Sequence, residues 1–84
     1  MRFDEMTTHL EELAGKLSIR VRWEPMEGAG GLCQLKGKKV FIGSSVQSAE
    51  QKAEALAKAL ADFKLDDIYV LPEVRQFVER MRDA

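Results

Sequence analysis

The chain has 84 residues, 45% of them apolar and 32% charged, a balance that belongs to one globular domain rather than to a disordered segment. Thirteen Lys and Arg against fourteen Asp and Glu leave a net charge of −1, which excludes a surface given over wholly to nucleic acid or anionic lipid. One Cys excludes an internal disulfide framework, and one His excludes any motif that needs two.

Phe3, Met6, Leu10, Leu13 and Leu17 recur at helical spacing and predict a first helix from about residue 3 to about residue 17. Ile19, Val21 and Trp23 then alternate with Arg20, Arg22 and Glu24, the period of a half-buried strand, which Pro25 ends. Residues 25–31 form a glycine-rich loop. Leu32-Cys33-Gln34-Leu35 and Val40-Phe41-Ile42 flank Lys36-Gly37-Lys38-Lys39, which predicts a β-hairpin with the nearly all-apolar third strand at the centre of a small sheet. Ser48 with Gln51 three residues on is a capping box opening an Ala-rich helix to about residue 62, with Ala53, Leu56, Ala57, Leu60 and Phe63 on its buried side. A short turn or strand around Ile68, Val70 and Leu71 precedes Pro72, the first residue of a third helix whose stripe is Val74, Phe77, Val78 and Met81. The order α-β-β-β-α-α predicts an α+β domain: a three-stranded, largely antiparallel sheet with helices packed on one face and the other face open.

The first residues, Met1-Arg2-Phe3-Asp4-Glu5, lack the basic flank and apolar run of a signal peptide, and neither end carries a lipidation signal. No apolar stretch approaches membrane-spanning length. With the unpaired Cys33 these features predict a cytoplasmic protein with no membrane partner.

The candidates for chemistry are few. A thiol nucleophile needs a base, and Cys33 has only His9 to call on; the simpler reading buries Cys33 as a small apolar strand residue and leaves His9 on a helix surface. Gly28, Gly30 and Gly31 suggest a phosphate cradle, but the loop leads into a strand rather than a helix N-terminus, so a turn with positive φ explains them. Asp62, Asp66, Asp67 and Glu73 lack the spacing of a calcium loop. Residues 19–43 hold five basic and two acidic side chains, +3, between flanking segments of −2 each. Such a hairpin can touch phosphates, or its lysines can guard a solvated strand edge.

Leu35-Lys36-Gly37-Lys38-Lys39-Val40-Phe41-Ile42-Gly43-Ser44-Ser45 followed by Leu56-Ala57-Lys58-Ala59-Leu60-Ala61-Asp62 resembles the minimal zinc metallopeptidase domains of the ImmA/IrrE type. In that family a strand and turn lead to a helix reading Leu-Ala-His-Glu-Leu-Gly-His, whose two His bind zinc and whose Glu activates water. Here Lys58, Ala59 and Asp62 stand at the three functional positions. The resemblance therefore implies a degenerate, inactive relative kept for binding.

No set of side chains supports a reaction, so the expectation is a non-catalytic protein with no cofactor and no metal ligands. It would act through a protein partner, as an accessory subunit or a self-associating homodimer, with Arg20, Arg22, Trp23, Lys36, Lys38 and Lys39 as the interaction residues. The alternative is a nucleic-acid or nucleotide-binding module using the same basic hairpin.

Overall fold

The computed structural model describes residues 1–28 and 30–83; Ala29, within the predicted loop, and Ala84 lie outside the described residues. The elements are α1 (Phe3–Lys16), β1 (Ile19–Glu24), β2 (Gly31–Leu35), β3 (Lys38–Ser44), α2 (Ala49–Leu60) and α3 (Pro72–Arg82). Their order and the α+β class are those predicted. Residues 66–71 form turns and irregular backbone rather than a strand.

The helices bury most of each predicted stripe, but Phe3 is 40% exposed and Leu17, Phe63 and Met81 are only partly buried. Met6, Leu10, Leu13 and Ala14 of α1, Ala53, Leu56, Ala57 and Leu60 of α2, and Val74, Phe77 and Val78 of α3 join Ile19 and Phe41 of the sheet in one core. Burying each Leu or Phe in that core contributes about 1.5–3 kcal/mol relative to leaving it exposed. The capping box forms as read: the Gln51 amide donates to Ser48 Oγ at 3.2 Å, and the Ser48 amide donates to Gln51 Oε1 at 3.1 Å. The segment between α2 and α3 is tied down by its neighbours. Arg82 Nε donates to the Ala61 carbonyl at 2.8 Å, and Lys16 Nζ donates to that of Tyr69 at 3.4 Å.

The sheet order is β1-β3-β2, so β3 is central as expected. It is a mixed sheet rather than a largely antiparallel one. β3 pairs antiparallel with β2, Cys33 opposite Val40, but parallel with β1, Arg20 opposite Val40 and Trp23 opposite Gly43. The reason lies in the loop after β1. Instead of folding back beside β1, it crosses the end of β3 and delivers β2 to the far side. The buried Ser44 hydroxyl donates to the Met26 carbonyl, and the Ser45 amide to that of Glu24 at 2.9 Å, which fixes the crossing to the end of β3. Gly30, at φ +79°, lies so close that a Cβ there would overlap the Ile42 carbonyl oxygen. Its lack of a side chain is thus explained by strand crossing, with no phosphate required.

Candidate protein-binding face

The register assigns each strand residue to a side of the sheet, because paired residues point the same way and successive residues alternate. Ile19, Val21 and Trp23 share the helix-covered side with Phe41 and Gly43. Arg20, Arg22 and Glu24 share the other side with Val40, Ile42 and Ser44 of β3, and Cys33 and Leu35 of β2 join them there. All three helices pack into the single core on the first side, so the second side is the uncovered face.

That face is cationic around an apolar centre. A groove of about 380 Å³ is lined by Ser18, Arg20, Arg22, Leu35, Lys36, Lys38, Lys39 and Val40, with no carboxylate among them. Val40 is buried yet belongs to none of the helix-side core, as expected where long Arg stems lie over an apolar neighbour. Leu35 is half exposed. Arg22 Nη2 is 3.3 Å from Glu24 Oε2, a half-exposed pair of the kind worth about 0–1 kcal/mol. Among the described residues Arg20, Lys36 and Lys38 have no carboxylate partner. Their charge is therefore available to a ligand.

The six expected interaction residues divide between the two sides. Arg20, Arg22, Lys36 and Lys38 gather at the groove. Lys39 carries its ammonium to the helix side, 4.7 Å from the centre of the Phe63 ring. Trp23 is fastened there too: its Nε1 donates to Glu11 Oε2 at 2.6 Å, and its ring meets Phe41 edge-on at 5.7 Å. Trp23 and Phe41 therefore offer the open face no stacking surface. The apolar part of the groove, Leu35 and Val40, was visible in the sequence only as strand-forming residues.

Cys33 is exposed, not buried as a small core residue. Edge position decides this: β2 has a neighbour on one side only, and its residues from Leu32 to Leu35 are all exposed. His9 lines a separate groove with Tyr69, Leu71 and Val74 between α1 and the start of α3. Cys33 and His9 thus lie on opposite sides of the sheet and form no dyad. Among the described residues no three His, Cys, Asp or Glu side chains are grouped so as to hold a metal ion. The positions compared with the metallopeptidase pattern, Lys58, Ala59 and Asp62, line a cleft of about 240 Å³ beside Leu32 and Phe41. Among the described residues no helix is long and apolar enough to cross a membrane.

No family model, no curated protein and no solved structure matches this chain.

Proposed function

We propose that this chain is a non-catalytic binding protein whose open sheet face docks an acidic surface of another protein. The observation that carries the reading is the groove: Arg20, Arg22, Lys36 and Lys38 line it together with Leu35 and Val40, and three of these four cations have no carboxylate partner among the described residues. An apolar centre with a charged rim is the make-up of a protein interface. Single-stranded nucleic acid is held by aromatic platforms as well as by charge, and the open face has no aromatic residue on its strands. Two copies docking by their open faces would set Arg20, Arg22, Lys36 and Lys38 against like charges, which favours a different, acidic partner. The reading as an inactive metallopeptidase relative rests on residues 32–63 and is compatible with this role, since it too leaves binding as the only activity.

The test is fluorescence anisotropy with a labelled peptide of alternating Glu and Leu, beside a labelled single-stranded oligonucleotide. The expected result is saturable binding of the peptide that weakens with salt and falls about tenfold or more in Arg20→Glu/Lys38→Glu. No peptide binding, or binding that the double reversal leaves unchanged, overturns the reading. Tighter, steeply salt-dependent binding of the oligonucleotide overturns it in favour of a nucleic-acid module.

A further inference from the structure

We propose that two copies of this chain pair antiparallel along β2, joining their sheets into one of six strands, with Cys33 on the two-fold axis. The pairing does not rest on the open-face reading; it follows from the hydrogen-bonding state of an edge strand. Lys36 and Gly37, at φ 51° and 78°, form a two-residue turn between Leu35 and Lys38. Such a turn closes on a hydrogen-bonded pair, so Leu35 and Lys38 exchange bonds, and alternation makes Cys33–Val40 and Gly31–Ile42 the next such pairs. Leu32 and Gln34 therefore turn their amides and carbonyls away from β3, toward the free edge.

A two-fold axis through Cys33 sets Leu32 of each copy opposite Gln34 of the other. These are the residues whose backbone groups point outward, so four bonds form without moving β2. Nothing on the strand opposes this. Residues 31–35 carry no charge and no proline, the usual guards of an edge. Leu32 and Leu35 are 42% and 50% exposed, the apolar surface that pairing would cover. On the helix side, the cleft of about 240 Å³ bounded by Leu32, Ala55 and Ala59 leaves room beside the edge for the partner's Gln34. The axis stands perpendicular to the sheet, so both cationic grooves emerge on the same side. A five-residue edge buries less than the roughly 800 Å² per partner of a standard stable interface, so the dimer is reversible and concentration-dependent.

The register places the two Cys33 residues at a non-hydrogen-bonded site, where Cα atoms lie about 4.5 Å apart, within disulfide range. Cross-linking therefore reads out the pairing. Diamide accepts the two protons and two electrons released when two thiols become a disulfide. Native mass spectrometry of the full, reduced chain should show a doubling of mass as concentration rises, and diamide should trap that dimer through Cys33. Gln34→Pro keeps Cys33 and every β2–β3 bond but deletes an outward donor; both the dimer and the cross-link should be lost. Cys33→Lys places like charges opposite each other at the axis and should also give a monomer, with the far-UV circular dichroism of the unaltered chain. It serves where Gln34→Pro fails to fold. A chain that stays monomeric at every concentration overturns the pairing and leaves the edge to another chain. A dimer that survives the folded variants overturns it in favour of a different interface.

Discussion

Trp23 shows how a residue's face can be legible in the sequence while its contacts are not. Its alternation with Arg20 and Arg22 assigns it to the opposite side of β1, and that is where it lies. The period cannot show that its indole is held by Glu11 at 2.6 Å and has the Lys52 ammonium 5.7 Å from its ring. Nor can it show that the ring rests on Gly43, its register partner, where a Cβ would overlap both the Trp23 and Phe41 rings. Gly43→Ala must displace the indole, at a cost of about 1–3 kcal/mol typical of overpacking. A lower urea midpoint together with a changed Trp23 emission is the expected result; unchanged values for both would show that Gly43 gives the ring no necessary space. Cys33 fails in the opposite direction. Free cysteines are mostly buried, but whether a strand residue has a neighbour on both sides is a property of the sheet, and no spacing within residues 31–35 encodes it.

Among the elements, the hairpin is legible because its signals are local, whereas the partner of β1 is not. Two short strand patterns in succession suggest a meander, and the sequence between them does not say whether the chain turns back or crosses over. The glycine at position 30 is the trace of the crossing, but only the nearness of the Ile42 carbonyl gives it that meaning. At the tight turn the structure makes a sharper statement. Lys36 adopts φ 51°, a left-handed backbone that a lysine enters at some cost and an asparagine enters readily. Asn-Gly is the preferred pair for a turn with both central residues at positive φ. Lys36→Asn should therefore stabilise the chain by about 0.5–1 kcal/mol, raising the melting temperature by a few degrees, and should at the same time remove one cation from the groove. A more stable variant that binds the acidic peptide less tightly would separate the turn's role in folding from the side chain's role in binding. A less stable one would mean that Lys36 makes a contact that outweighs its backbone strain.

At the scale of the whole molecule, the stripes of three helices and the inner side of the sheet meet in one cluster, and no second core exists among the described residues. That much was legible, since each stripe is a strong periodic signal and 84 residues leave room for one core. A single core implies a single cooperative transition. Trp23 is well placed to test this, because it belongs to the sheet, bonds to α1 through Glu11 and lies beside Lys52 of α2. Its emission and the far-UV circular dichroism of the helices should follow coincident urea curves. If the dichroism began to fall first, α3, which reaches the core through Val74, Phe77 and Val78, would be unfolding on its own. The open face lies outside this cluster: among the described residues Arg20, Arg22 and Lys38 tie no helix, and Val40, over which the Arg stems lie, belongs to none of the core. Surface changes of that kind usually alter stability by no more than about 0.5 kcal/mol. Arg20→Glu/Lys38→Glu should therefore melt with the unaltered chain even as its affinity for acidic peptide collapses. A large fall in its midpoint would mean that the cations hold the sheet together, and loss of binding in that variant would then say nothing about the face.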